Sequence, residues 1–332
     1  MHAIRLHAFG PAENLTYETV EDPGPGPGQV LITVAAAGVH LLDTALREGM
    51  TGPYPAPVEL PTIPGREVAG TVTSLGADVD AGWLGKRVVA HLGMVPGGYA
   101  ELAVTDTARL HEIPPGLDEA AAVAMIGTGR TTMGILQFAG LGPDDIALVS
   151  AAAGGIGTLL VQYAKNAGAT VVGLAGGPAK VARTAANGAD LAVDYTAPDW
   201  AARVTAFLGD RRATVLFDSV GGATGLAAVG LLARGGKHLV FGWSGEGLHD
   251  GSPLTFTEEE LAERGITSTS VLGPVMIQKA GGDVRVLEER SLAEAAAGRL
   301  RPAVQRFPLA RAAEAHRALE TRGTVGKVVL EP

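Results

Sequence analysis

The residues best placed to do chemistry lie in one short run, Ser150-Ala151-Ala152-Ala153-Gly154-Gly155-Ile156-Gly157. It follows the apolar segment 146–150 and opens an amphipathic stretch, 157–167. Against the dinucleotide pattern G-x-G-x-x-G it reads Ala152-x-Gly154-x-x-Gly157, with alanine at the first glycine. A strand–turn–helix of small residues brings backbone N–H groups to a pyrophosphate at the positive end of a helix. Gly154 would permit that approach and Gly157 the close packing of helix on strand; glycines serving only a tight turn are the plainer alternative. A ribose-binding acid for NAD belongs about 20 residues further on. There the chain reads Ala175-Gly176-Gly177-Pro178-Ala179-Lys180, without Asp or Glu. Lys180, with Arg183 behind it, offers positive charge to a 2′-phosphate, unless both are solvated helix charges. NADPH is the cofactor this pattern favours.

Other chemistry is excluded by composition. The 332 residues contain no cysteine, so disulfides, a thiolate nucleophile, iron–sulfur clusters and cysteine-ligated zinc are ruled out. A zinc site of His and carboxylate stays open, although His91, His111, His238, His249 and His316 show no ligand spacing. Acidic residues outnumber basic ones, 35 to 26, and no Lys/Arg block breaks the net charge of −9. Nucleic acid is therefore not an expected partner. The first ten residues lack the apolar core of a signal peptide, and no uncharged apolar run reaches about 18 residues. The expectation is a soluble, cytoplasmic protein without a membrane partner.

The elements that must position these residues fall into two kinds. Segments 30–36, 68–75, 87–91 and 97–104 read as strands of an antiparallel or barrel-like sheet. Pro53, Pro55, Pro57, Pro61 and Pro64 keep the stretch between them from being helical. From Asp118-Glu119 onward the chain alternates. Strands are expected at 146–150, 170–174, 191–194, 215–218 and 237–241, with helices at 157–167, 179–187, 200–208 and 222–232. Continuous apolar strands alternating with helices indicate an α/β fold with a doubly wound parallel sheet. Helices at 284–298 and 309–320 follow. The closing strand, 326–330, has the character of the N-terminal sheet.

Several motifs together resemble a known family. They are Ala37-Gly38-Val39 with Asp43, Ile63-Pro64-Gly65-x-Glu67-x-Ala69-Gly70, the Ala-Ala-Gly-Gly-Ile-Gly turn, and the ending Pro308-Leu309-x-x-Ala312, Ala315-His316, Gly326-Lys327-Val328-Val329-Leu330. The chain resembles the medium-chain dehydrogenase/reductase superfamily, and within it the zinc-independent quinone oxidoreductase branch. The motifs spread from residue 35 to 330. The resemblance implies a GroES-like catalytic domain of residues 1–122 and 268–332 and a Rossmann NADPH-binding domain of residues 123–267, with the active-site cleft between them. It also implies a homodimer, for which the β-rich stretch 266–272 is the candidate pairing segment.

The same matching distributes roles. Thr131 matches a contact to the nicotinamide end. Gly176, Lys180 and Tyr195 match the 2′-phosphate and adenosine pocket, with Tyr195 as an ordinary strand-end aromatic the alternative. Ser219, Val220 and Gly221, and Phe241 with Gly242, match segments lining the cofactor. Zinc-dependent relatives carry ligands where this chain has His40 and Arg66, and a third near Gly127. One imidazole beside an arginine is not a metal site, so no metal is expected and Glu67 reads as a structural acid. His40 stands where the branch usually has Asn; it either donates a proton or fills the asparagine's role without doing so. Tyr54 matches a tyrosine near substrate, or else packs in the core. Arg66 and Arg130 replace apolar or other positions and would suit an anionic group, unless they form structural ion pairs.

With neither metal nor thiol, the protein positions a hydride donor against an electron-poor acceptor. The expected function is NADPH-dependent reduction of a quinone or an α,β-unsaturated carbonyl. A zinc-free carbonyl reductase or alcohol dehydrogenase, and a non-catalytic NADPH-binding protein, are the alternatives.

Overall fold

The structure, a computed structural model, describes residues 1–51, 58–246 and 251–332. Tyr54 and His249 lie outside the described residues. In chain order the first elements are β1 (His2–Leu6), β2 (Leu15–Thr19), β3 (Gln29–Val39), α1 (Leu41–Arg47), β4 (Glu67–Leu75) and β5 (Arg87–His91). Next come β6 (Leu102–Asp106), β7 (Leu110–Glu112), α2 (Glu119–Ala124), α3 (Arg130–Leu136), β8 (Ile146–Val149) and α4 (Gly155–Asn166). Then follow β9 (Thr170–Ala175), α5 (Pro178–Ala186), β10 (Leu191–Asp194), α6 (Trp200–Leu208), β11 (Ala213–Asp218), α7 (Gly222–Val229) and β12 (Leu232–Val240). The last are α8 (Glu258–Arg264), β13 (Thr267–Ser270), α9 (Gly273–Lys279), α10 (Val284–Ala296), β14 (Val304–Pro308), α11 (Ala312–Glu320) and β15 (Lys327–Glu331).

The chain forms two units, Met1–Thr128 with Pro302–Pro332, and Gly129–Arg301. The first contains a sheet in the order β14-β15-β3-β4-β5-β7, with β6 paired to β3 and a separate β1–β2 hairpin. Most of its pairings are antiparallel, and β15 joins the N-terminal sheet through Val328 opposite Val39. Along β3 the residues alternate buried and exposed until Ala36, then remain buried to Val39 where α2 covers the strand. Ile4, Val30, Ile32, Val68, Val72, Val88, Tyr99 and Leu330 are among its core.

The second unit is a parallel sheet in the order β10-β9-β8-β11-β12-β13. This is the doubly wound order in which the first strand lies at the centre, and ligands sit beyond the carboxyl ends of such strands. Burial on both faces explains the continuous apolar runs of β8, β9 and β11.

Four expectations change. Residues 268–301 belong to the second unit, because β13 pairs parallel with β12 and both α9 and α10 pack on α3. The first boundary falls at Thr128 rather than 122. Strand β12 begins at Leu232, with irregular pairing to β11 and Gly235 at φ +83. Residues 97–101 run mostly as loop beside Pro64 and Gly65, with Gly98 and Tyr99 donating to those carbonyls, and β6 starts at Leu102.

Candidate functional site

In the second unit the glycine turn has the geometry of an anion cradle. Gly154 is the N-cap of α4, a helix of 12 residues, and Gly155, Ile156 and Gly157 form its first turn. A Cβ on Gly157 would collide with the Ala151 carbonyl and lie 2.7 Å from Ala152 Cα, so helix and strand approach too closely for any side chain. A Cβ on Gly154 would meet only the Ala151 carbonyl, at 3.2 Å. Packing within the protein therefore demands glycine at 157 more than at 154, where the open space lies in front of the helix N-terminus.

Three further segments gather at the same strand ends. A Cβ on Gly176 would lie 3.2 Å from the Tyr195 hydroxyl, which places these two residues together. Lys180 is half-buried in the first turn of α5, and Arg183 is exposed one turn on. Asp194, at the end of β10, meets this segment: its Oδ1 accepts from Gly177 N–H at 3.0 Å and from Thr196 Oγ1 at 2.6 Å. Those hydrogen bonds, led by Gly177, hold its carboxyl below the usual range. At the ends of β11 and β12, Ser244 donates through N–H and Oγ to the Ser219 carbonyl, both at 3.0 Å, and Gly245 donates to Val220 at 2.7 Å. Phe241 N–H donates to Asp218 at 2.9 Å, and a Cβ on Gly242 would lie 3.1 Å from the Ser219 carbonyl. Ser219, Val220, Phe241 and Gly242 are thus one surface.

Behind that surface lies a network that sequence reading missed. Asp218 is fully buried and its Oδ1 accepts from Val220 N–H at 2.9 Å, Gly221 N–H at 3.0 Å and Ser150 Oγ at 3.3 Å. His238 Nε2 lies 3.3 Å from Oδ2, and its Nδ1 lies 2.9 Å from Ser268 Oγ. Burial alone would raise the Asp218 carboxyl; hydrogen bonds from His238 and the two backbone amides more than offset it. Thr131 is half-buried in α3. Its neighbour Arg130 donates to Glu288 of α10 at 3.0 Å, the ion-pair alternative.

The first unit holds a compact charge cluster. Glu67 is fully buried, with His40 Nε2 2.6 Å from Oε1 and Lys327 Nζ 2.9 Å from Oε2. Lys327 Nζ is also 2.8 Å from His40 Nε2. The Lys327 side chain is 4% exposed and that of His40 24%, so the imidazole forms the outer member. Two glycines leave room for the carboxylate. A Cβ on Gly127 would lie 2.5 Å from Glu67 Cδ, and one on Gly38 would strike Glu67 Oε2 and lie 2.8 Å from Val123 Cγ1. Burial pushes the Glu67 carboxyl up, but the charges of His40 and Lys327 hold it well below the usual range. Burial lowers Lys327, against the pull of Glu67. Lys327 was visible in the Gly326-Lys327 motif, yet nothing in a sequence separation of 287 residues announces His40 as its partner.

Asp43 joins this cluster to a second one. Its Oδ2 accepts from His40 N–H at 2.9 Å and from the Tyr99 hydroxyl at 3.0 Å, and Arg66 Nε lies 3.6 Å from Oδ1. The Tyr99 oxygen lies 3.2 Å from His316 Nε2. Because the phenol donates to Asp43, it accepts from His316 Nε2–H, and the buried Nδ1 has no partner among the described residues. Asp43 and Arg66 line a cavity of about 530 Å³ with Arg47, Pro61, Pro64 and Met94. Both candidate anion-binding arginines, Arg66 and Arg130, have carboxylate partners, which removes the reason to expect an anionic acceptor.

The chain matches the family model "Alcohol dehydrogenase GroES-like domain" over residues 26–115 and "Zinc-binding dehydrogenase" over residues 155–280. It is 32% identical to quinone oxidoreductase of Pseudomonas aeruginosa over 334 residues, 99% of each chain. It is 31% identical to 2-haloacrylate reductase of a Burkholderia species over 337 residues, 99% of this chain and 98% of that protein. The structure of Escherichia coli quinone oxidoreductase complexed with NADPH superposes with a TM-score of 0.84 at 27% identity, covering 100% of both chains. A dehydrogenase/reductase of the medium-chain superfamily is what this fold and site define. The chain belongs to its quinone oxidoreductase-like branch.

Zinc, which one family description implies, does not fit the residues present. An ammonium stands against both His40 and Glu67, and Gly127 has no room for a ligand side chain. A dinucleotide does fit, at the Gly154–Gly157 cradle and beside Gly176 and Tyr195.

Proposed function

We propose that this protein is an NADPH-dependent reductase that transfers hydride, without metal, to a quinone or an α,β-unsaturated carbonyl. The observation that carries the cofactor choice is the end of β9. Gly176 meets Tyr195 there, and Lys180 stands in the adjoining helix turn. Thr131, Ser219, Val220, Phe241 and Gly242 complete the proposed cofactor surface. NADPH, when bound, supplies the hydride to the electron-poor carbon of the acceptor.

The chain's own task is to bind, orient and manage charge. His40 meets the oxygen on which negative charge develops, and donates to it. Glu67 and Lys327 fix the imidazole from behind. Tyr54, outside the described residues, remains a proposed substrate contact from the family match. Arg130, paired with Glu288, acts as part of the scaffold. In the assembly we propose a homodimer, formed at β13, the outer strand of its sheet.

An acceptor panel followed by NADPH absorbance tests the reading. Oxidation with quinones or enones is expected. Turnover of simple ketones alone would mark a carbonyl reductase, and tight NADPH binding without oxidation of any acceptor would mark a non-catalytic protein.

A further inference from the structure

We propose that Asp218, oriented by His238, holds the turn 219–221 in the shape that receives NADPH. Both residues are fully buried, so they set cofactor affinity from behind the surface and are positioning residues. This rests on the assignment of that turn to the cofactor surface above. Strand register brings the pair together. His238 lies opposite Leu216 of β11 and opposite Ser268 of β13. Asp218 stands two residues beyond Leu216, so its side chain leaves the same face of the sheet. Gly225 of α7 makes room for it, since a Cβ there would lie 2.6 Å from Asp218 Oδ2. Phe256 packs edge-on against the imidazole, with ring centroids 5.9 Å apart.

The turn does not fix its own shape. Gly221 and Gly222 follow one another at φ +64 and +56, where glycine keeps wide conformational freedom. Its three N–H groups point inward instead. That of Ser219 donates to Ser150 Oγ at 2.8 Å, and those of Val220 and Gly221 donate to Asp218 Oδ1 at 2.9 and 3.0 Å. The Ser150 hydroxyl in turn donates to Oδ1 at 3.3 Å. One carboxylate oxygen thus gathers the whole turn, directly or through a single hydroxyl. The ionised carboxylate only accepts, so His238 Nε2, 3.3 Å from Oδ2, carries the hydrogen between them. Nδ1, on the far side of the ring, lies 2.9 Å from Ser268 Oγ. With its amides spent inside, the turn offers the cofactor a shaped wall rather than donors for a phosphate. The pyrophosphate is left to the Gly154–Gly157 cradle.

Two substitutions separate positioning from packing, because each keeps one of the two His238 hydrogen bonds. A Gln amide stands in for Nε2 and an Asn amide for Nδ1. His238→Gln keeps the donor to Asp218 and gives up Ser268, and His238→Asn does the reverse. A merely structural histidine would make the two losses alike. In fluorescence titrations His238→Gln should bind NADPH within about twofold of wild type, and His238→Asn about tenfold more weakly. Exchange of the Val220 and Gly221 amide hydrogens in cofactor-free protein should quicken about tenfold in His238→Asn alone. Equal dissociation constants for the two variants, or unchanged exchange in His238→Asn, would overturn the proposal. If His238→Asn does not fold, Ser150→Ala decides: it should weaken NADPH about fivefold, and a wild-type constant would overturn the proposal. A wild type that binds no NADPH would bring down the cofactor reading and this role with it. Equal constants in variants of a wild type that does bind would bring down this role alone.

Discussion

At the scale of single residues, the account turns on a few side chains whose environments do unusual things. His316 is the clearest for stability. Burial lowers its imidazole from 6.5 to about 4, opposed by the charge of Asp43. The unfolded chain thus binds a proton between those values that the folded chain refuses, so stability falls as pH drops from about 6.5 to 4. The loss amounts to roughly 3 kcal/mol. Denaturant titrations at pH 7 and 4.5 should show it, and His316→Phe should flatten the dependence. Lys180→Ala should raise the NADPH dissociation constant about tenfold or more and leave NADH nearly unchanged. Equal losses in fluorescence titrations would remove Lys180 from the 2′-phosphate site. Lys180 differs from Lys327 and Asp218 in how it could be read. Lys180 follows a strand end in local sequence. The roles of Lys327 and Asp218 come from partners far along the chain, with no local pattern.

At the scale of elements, glycine decides how closely segments approach. Gly127 is the sharpest case, because its missing side chain is the space occupied by the Glu67 carboxylate. Gly127→Ala should destabilise by about 2–3 kcal/mol, from displacement of a buried ion pair. Gly24→Ala, with open space around it, should be close to neutral in the same denaturant melts. The βα alternation from β8 to β12 and the bounds of β5 were legible, since period and apolar runs state them directly. The allocation of residues 268–301 was not. The helices α9 and α10 present no signal naming their partner, and only their packing on α3 places them in the second unit. The segment 97–101 misled for a similar reason: its apolar residues pack beside Pro64 and Gly65 without forming a regular ladder.

At the scale of the whole molecule, both chain ends build one unit and the middle builds the other, as the closing strand foretold. The parallel sheet ends on β13, four residues of Ser and Thr with one side unpaired among the described residues. A second copy of the chain is its proposed partner, and light scattering should give twice the chain mass at micromolar concentration; a chain mass alone would remove the dimer. Among the described residues no helix is long and apolar enough to cross a membrane. The central claim is hydride transfer to an electron-poor carbon, and NADPH deuterated at the transferred C4 position tests it most directly. With an enone acceptor, one deuterium should appear on the β-carbon of the saturated carbonyl product. Deuterium on the carbinol carbon of an alcohol, or NADPH oxidation with that enone and no label in its saturated product, would contradict the account.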